Sequence, residues 1–373
     1  MRIRNFLRKK GEGGPDYVLG GALLLIVLLG LVALSSASSD LAKIRFNDTY
    51  YYLKHQLLYG GSLGILGFFL GTFVYYRTYK NFSLPLLLLS LGLLAVALWS
   101  SFGVSLGGAV RWLQIGPITV QPSEILKFTA ILYLAAWLSQ SGVRKNKIFS
   151  VRFLVLFLLM GATGVLLVLQ PATSSVFIIA TASFIMLVMS GIKFRYIAGF
   201  FLVAAIALSV IIYVSPYRRD RIVSFLSPQE NVETLGFHAD QALTTIGSGG
   251  LTGVGYGKST NKYRYLPAAI DDSIFAIIAE EFGFIGSTVF IGLFFAIVAR
   301  GLFISRRVRD DFGRLLIIGI ASLIGIQAFV NMAAISGLIP LTGVTLPFIS
   351  YGGTSLVVFM TMGGIMINIS KHA

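Results

Sequence analysis

The chain has 373 residues, of which 56% are hydrophobic and only 12% charged, with a mean hydropathy of +0.83. Soluble domains carry about 25% charged residues, so this composition is that of a polytopic membrane protein; the lack of any cysteine excludes disulfides and thiolate metal sites. The formal charge of +15 does not point to nucleic acid, because basic residues on a membrane protein more often set its orientation.

Residues 1–16 carry Arg2, Arg4, Arg8, Lys9 and Lys10 and lead into an apolar run from Tyr17 to about Leu34. This pattern is shared with signal peptides, but the run is long enough to span a bilayer and many more follow, which makes it an uncleaved first helix. Further runs lie near 57–76, 83–100, 123–140, 153–169, 173–191, 196–214, 273–298, 313–332 and 352–369, with Gln170-Pro171 splitting a stretch too long for one helix. The expected fold is all-α: ten transmembrane helices in a single domain over 1–373, both termini cytoplasmic, and a large extracytoplasmic loop at about 215–271 between helices 7 and 8. The basic residues agree with that orientation. Arg77, Lys80, Arg144, Lys145, Lys147, Arg152, Lys193, Arg195, Arg300, Arg306, Arg307, Arg309, Arg314 and Lys371 fall inside, whereas short outer loops hold only Lys43, Arg45, Lys54 and Arg111. Gly60, Gly64, Gly67 and Gly71 form two GxxxG pairs, a helix-packing signal.

Arg111 stands alone beside Trp112, an interfacial anchor by type. The fourth span opens on Gln121-Pro-Ser-Glu-Ile-Leu-Lys127, where Pro122 suits a first helical turn. Glu124 and Lys127, three apart, meet on one face and neutralise each other. Such a pair inside the apolar zone is a weak source of stability, which favours a functional role. The outer loop begins with Arg218, Arg219 and Arg221, suited to phosphate, or to salt bridges with Asp220, Glu230 and Glu233. Its segment 246–259 nearly reads as a nucleotide P-loop, but Thr252 stands where that motif needs glycine. The three histidines, His55, His238 and His372, are scattered without metal-ligand spacing.

Asp271 and Asp272 sit where this polar loop meets an apolar run, a costly place for two carboxylates without a task. On a helix starting near Asp271, Asp272 shares a face with Ala276, Ala279, Gly283 and Gly286, where another helix can approach closely. The alternative is a charged helix N-cap. Glu280 and Glu281 lie roughly 12 Å further along such a helix and would suit a transporter. Before the last span, 336–355 is apolar but punctuated by Pro340, Gly343, Pro347, Gly352 and Gly353. Irregular backbone of that kind is tolerated only when buried or lining a cavity, which Gln327 and Asn331, one turn apart in the ninth span, could face.

Taken in order, five segments resemble the SEDS family of FtsW, RodA and SpoVE over almost the whole chain. They are Arg111-Trp112 with Gln121–Lys127; Leu169-Gln-Pro171; Tyr217-Arg-Arg-Asp-Arg221; Ile246-Gly-Ser-Gly-Gly-Leu251; and Leu346-Pro-Phe-Ile-Ser-Tyr-Gly-Gly-Thr-Ser355. Thr345–Thr354 and the ending Asn368-Ile-Ser-Lys371 look more like the FtsW division branch than RodA. The resemblance implies a peptidoglycan glycosyltransferase of the bacterial cytoplasmic membrane that polymerises lipid II at its outer face, in division or elongation. It also implies a class B penicillin-binding protein and other divisome or elongasome membrane proteins as partners, and no nucleic acid. The family's Leu-Pro-Glu-Ala-His-Thr-Asp segment aligns on Leu266–Asp272, which makes Asp272 the catalytic candidate and Lys262 its neighbouring lysine. Ala268, Ile270 and Asp271 depart from that pattern, as does Ala172, where an aspartate is common. Candidate substrate-binding residues are Arg111, Glu124, Lys127, Arg218, Arg219, Arg221, Gln241, Lys262, Ser350 and Tyr351. No cofactor is firm; a divalent cation such as Mg or Mn on the pyrophosphate is a candidate. A lipid flippase and a non-enzymatic scaffold for a penicillin-binding protein are the rival readings.

Overall fold

The computed structural model describes residues 13–99, 103–106, 109–116, 118–140, 151–192, 215–226, 235–262 and 266–373, with isolated positions 199, 202, 209 and 213. The expected span at 196–214 and the basic residues at 144, 145, 147, 193 and 195 lie outside them, as do Glu230 and Glu233. The first part of the chain forms helices α1 (Tyr17–Ala37), α2 (Ser39–Phe46), α3 (Tyr51–Phe73, with a π-turn at Gln56–Gly61) and α4 (Tyr76–Trp99). Next come strands β1 (Gly103–Leu106), β2 (Ala109–Ile115) and β3 (Ile118–Val120), then α5 (Pro122–Leu138), α6 (Val151–Leu169) and α7 (Thr173–Met189). The remainder is α8 (Pro216–Leu226), α9 (Leu235–Ser248), α10 (Ile274–Ser305), α11 (Asp311–Ile335) and α12 (Gly353–Ser370).

Six of these, α1, α3, α4, α10, α11 and α12, are long and apolar enough to cross a membrane. The protein is therefore mostly helical and multi-pass. The strands correct the all-α expectation. They form a three-stranded antiparallel sheet, favoured by β-branched residues such as Val110, Ile115, Ile118 and Val120 and turned at Gly116, whose φ is +62°.

Three helices make the centre. In α5 nearly every residue from Pro122 to Leu138 is buried, and α11 and α12 are buried along most of their length; a helix apolar all round belongs inside a bundle. The glycine stripe of α3 packs on α12. A Cβ at Gly60 would lie 3.0 Å from Gly353 Cα, and one at Gly71 would lie 2.6 Å from Thr361 O and 2.8 Å from Ile365 N. The two backbones approach that closely only because side chains are missing there.

Polar ties collect the residues expected on the inner side on one face. The Asp16 carboxylate caps α1 by accepting from Leu19 N (2.9 Å) and pairs with Arg300 (2.8 Å), while Asp16 N donates to Ser370 Oγ at 3.0 Å. Arg77 reaches Asp310 at 3.3 Å. Arg300 lies near the C-terminal end of α10, so the turn that precedes α10, with Asp272 in it, stands at the opposite face.

Within α10 the helix breaks at Gly283 (φ 67°, ψ −165°). The broken ladder is mended by the glycine-rich segment from the loop. Val254 N and Gly255 N donate to Glu280 O (2.9 Å) and Glu281 O (3.0 Å), and Phe284 N and Ile285 N donate to Gly250 O (3.0 Å) and Leu251 O (3.1 Å). An unwound stretch next to an apolar phase needs such internal partners. Side chains at Gly249, Gly253 or Gly283 would collide with the facing backbone. The small-residue face around Ala279 and Gly283 thus receives this segment, not another helix as expected. Glycines in a polar loop can lie flat against a backbone.

Glu280 and Glu281 hold the same segment from below. The buried Glu280 carboxylate accepts from Ser259 Oγ, Thr260 N (3.2 Å), Thr260 Oγ1 (3.4 Å) and Asn261 Nδ2 (2.9 Å). Glu281 pairs with Lys262 at 3.1 Å and accepts from Ser36 Oγ at 2.5 Å. Both acids are used in pinning the loop, which removes the feature that had suited a transporter.

Candidate active site

Asp272 lies outside α10. The helix begins at Ile274, its N-cap position is Ser273, and that serine makes no side-chain cap bond. The expectation that Asp272 shares a helical face, or caps the helix, is therefore corrected. The turn 268–273 closes first, with Asp271 N and Ser273 N both donating to Ala268 O (3.0 and 3.2 Å). Ala268 takes a left-handed φ of 50° to allow it, a conformation that L-residues with a Cβ adopt at some cost and that clusters at functional sites.

The wall beside Asp272 is the irregular strap 336–352, organised by its carbonyls. Arg221 Nη1 on α8 donates to Leu341 O (3.1 Å), and Ser174 Oγ on α7 donates to Thr342 O (2.9 Å). Asn331 Nδ2 on α11 donates to Val344 O (2.6 Å), and Gln327 Nε2, one turn earlier, donates to Thr345 O (3.0 Å). Four carbonyls are thus taken by side chains from three helices. Buried backbone without a regular ladder must find partners of this kind. Asn331 Nδ2 also donates to Asp272 O (2.8 Å), so one amide fixes both the strap and the aspartate. Gly343, at φ +66°, lies beside both groups: a Cβ there would make ordinary contact with Arg221 Nη2 at 3.8 Å and Asp272 Oδ2 at 3.9 Å.

Replacing Asn331 with leucine would leave Val344 O and the Asp272 carbonyl without this donor in a buried site. Each unsatisfied group costs on the order of 1–3 kcal/mol, so Asn331→Leu is expected to unfold at a clearly lower temperature in detergent than wild type.

The charges around Asp272 oppose one another. Asp272 Oδ1 is buried without a hydrogen-bond partner. Burial pushes the carboxyl above the usual range, and His238, Arg221 and the Ser273 hydroxyl pull it back. Asp271 is exposed; the protein packed around it, and then the Asp272 charge, push it up to about 7. His238, half-buried on α9, shares a 2.7 Å hydrogen bond with Ser273 Oγ through Nε2, and burial lowers its pKa. The sequence carries no signal for His238, whose spacing from the other histidines matches no ligand set. Its serine lies 35 positions away, and nothing local joins the two.

Of the candidate residues, Arg221 is brought against Asp272. Arg111 and Arg218 converge on the corner between α6 and α7: Arg111 Nη2 donates to Pro171 O (2.8 Å), and Arg218 donates to Thr173 Oγ1 (2.9 Å) and Val168 O (2.6 Å). Arg219 is exposed on α8, and Gln241 lies one turn after His238 on α9. Glu124 and Lys127 form the expected pair at 2.8 Å, buried, and Lys127 also donates to Gln327 Oε1, which joins them to the far side of the strap. Ser350 Oγ accepts from Leu346 N (2.8 Å) and closes a turn within the strap. Tyr351 shares a 2.9 Å hydrogen bond with His55 Nδ1, and its N donates to Ile270 O (2.9 Å), so it braces the aspartate turn from behind. Lys262 is not brought to Asp272. Its ammonium donates to Gly257 O (2.7 Å), Ser36 Oγ (3.0 Å) and Glu281 (3.1 Å). Among the described residues no three carboxylate, imidazole or thiol side chains converge as metal ligands would.

The chain matches the cell cycle protein family FtsW/RodA/SpoVE over residues 17–373. It is 38% identical over 360 residues to a probable peptidoglycan glycosyltransferase FtsW of Geobacter sulfurreducens, covering 96% of this chain and 95% of that one. It is 34% identical over 361 residues to the stage V sporulation protein E of Bacillus subtilis, covering 96% and 98%. Among solved structures it is similar to a chain of a peptidoglycan synthase complex that coordinates polymerization and crosslinking (TM-score 0.79, 28% identity, 95% and 97% covered). The rod shape determining protein RodA of Thermus thermophilus is also similar (TM-score 0.69, 28% identity, 95% and 96% covered).

Proposed function

The chain belongs to the FtsW/RodA/SpoVE family and is a peptidoglycan glycosyltransferase of the bacterial inner membrane, and from that premise we propose that it polymerises lipid II with Asp272 as general base. The observation that carries the proposal is the Asp272 carboxylate itself, with one oxygen unpartnered and buried and the other lying, like Arg221 Nη2, beside Gly343. Asp272 takes the proton of the acceptor sugar's 4-hydroxyl as that oxygen bonds to the donor's anomeric carbon. The bond from that carbon to the polyprenyl pyrophosphate breaks, and its electron pair leaves on a phosphate oxygen. One carboxylate suffices because the leaving group is already a stable anion, unlike the sugar alkoxide for which glycosidases flank the bond with two acids. Arginine suits the growing pyrophosphate charge: Arg221 stands nearest to Asp272, and Arg111 and Arg218 sit at the neighbouring corner. A divalent cation on the pyrophosphate would share that charge with the arginines.

Ten spans with both termini inside, and the site on the outer face, complete the proposal; a class B penicillin-binding protein, with other division or elongation membrane proteins, supplies crosslinking. The test is purified protein in detergent, given lipid II with the partner's transpeptidase blocked. Glycan strands are expected. Translocation in liposomes without strands would support a flippase, and neither would support a scaffold.

A further inference from the structure

The proton that Asp272 accepts must leave before the next sugar is added, and the surroundings of the carboxylate offer few routes. Asn331 reaches the Asp272 backbone, not its carboxylate. Arg221 is permanently charged and takes up no proton. On the remaining side stands Ser273, next to Asp272 in the chain, whose hydroxyl pulls the Asp272 carboxyl down and is hydrogen-bonded to His238 Nε2 at 2.7 Å. His238 is half-buried on α9, so a proton placed on it has a way to solvent.

We infer that His238 is a positioning residue for Asp272, holding Ser273 in place and, through its hydroxyl, draining the proton from Asp272 after each transfer. The inference rests on the general-base reading of Asp272. The protonated carboxyl gives its proton to Ser273 Oγ as the Ser273 hydroxyl proton passes to His238 Nε2. The imidazolium then releases a proton to solvent, and the serine hydroxyl rotates back. No atom or charge is left over, and no co-reactant is needed. The relay requires Nε2 to be the accepting nitrogen, with the ring proton on Nδ1. The same hydrogen bond ties α9 to the aspartate turn, which a phenylalanine or leucine at 273 could not do.

The relay works only while His238 is neutral, and the charges facing the pair decide where that holds. Arg221 from α8 disfavours the imidazolium and Asp272 favours it. Arg45 at the end of α2, Asp271 and the Tyr351 phenol act on the aspartate turn from its other side, and Asp240 on α9 itself is exposed. Burial holds His238 below the ordinary imidazole range, which keeps it a proton acceptor at neutral pH.

The experiment measures lipid II polymerisation against pH for wild type, His238→Gln, His238→Ala, Ser273→Ala and Asp272→Asn, each checked for thermal unfolding in detergent. Glutamine keeps a hydrogen bond to Ser273 but carries no proton onward, so His238→Gln is expected to turn over roughly tenfold more slowly, at the low end of what acid–base groups contribute. Its acid limb is expected to move to lower pH, because the variant no longer carries an imidazole whose protonation stops the relay. Added imidazole is expected to restore His238→Ala in part, and Ser273→Ala is expected to match His238→Gln. Should His238→Gln fail to fold, the serine variant carries the test. A uniform loss in these variants, with an unmoved acid limb and no imidazole rescue, would mean that His238 only packs, and would overturn the inference. Wild-type behaviour of His238→Gln beside an inactive Asp272→Asn would overturn the relay alone. An active Asp272→Asn would remove the general base and the relay together.

Discussion

Asp272→Asn is expected to lower lipid II polymerisation by about 10²- to 10⁴-fold, the range that a positioned acid–base group contributes, and to make the protein more resistant to heat. The two effects have one cause. Burial raises the folded-state pKa of Asp272 above that of the unfolded chain, so between those two values the folded state binds more protons than the unfolded one. Stability is then fully present below the unfolded carboxyl range and is lost as pH rises through the folded pKa. At neutral pH the ionised base is a net cost, and the isosteric amide removes it. Thermal unfolding at pH 7.5 is therefore expected to shift upward in Asp272→Asn, and the gap from wild type is expected to close as the pH is lowered. An inactive variant no more stable than wild type at any pH would mean that Asp272 is already fully compensated and is held by contacts other than those described. The same variant with wild-type activity would move the base elsewhere, with Asp271, pushed up to about 7 beside it, as the next residue to replace.

How far the sequence revealed this site depends on whether each interaction is local. Glu124 and Lys127 could be paired from spacing alone, because residues three apart on a helix are neighbours. The Gly60–Gly71 stripe could be assigned to packing for the same reason. Asp272 stood out by its position, a carboxylate where polar loop meets apolar span, and the family resemblance chose it over Asp271. Gln327 and Asn331 were legible as a one-turn polar pair, though not as the donors that saturate a strap. What stayed hidden was every contact made across the fold. His238 meets Ser273, Glu281 meets Lys262 and Ser36, and the glycines at 249–255 meet the break in α10 only after the chain has come together. The break at Gly283 had no signal of its own, since a lone glycine in an apolar run is compatible with an intact helix. The strands at 103–120 were too short and too irregular to be read as a sheet.

Lys262 shows how a family-based assignment and the physics of a contact can diverge. The resemblance placed it next to the catalytic aspartate, yet its ammonium and the Glu281 carboxylate face each other with 1% of either side chain exposed. Removing one member of such a pair strands the other charge in a dry site, at a cost of about 3–5 kcal/mol, whereas replacing both with apolar groups of similar volume is often neutral or better. Glu281→Ala is therefore expected to be one of the most damaging substitutions in the chain. The lysine would keep Gly257 O and Ser36 Oγ but lose its counter-charge, and the segment 249–262 would lose its hold on the break in α10. The readouts are thermal unfolding and the monodisperse fraction after detergent extraction. Lys262→Met combined with Glu281→Leu is expected to recover most of the lost stability, and that double variant separates the two roles proposed for the lysine. If Lys262 only pins the loop, the recovered protein polymerises lipid II at close to the wild-type rate. If it binds substrate, the protein folds and stays inactive. The three hydrogen bonds to its ammonium match the three donors that a lysine has, which favours the first outcome.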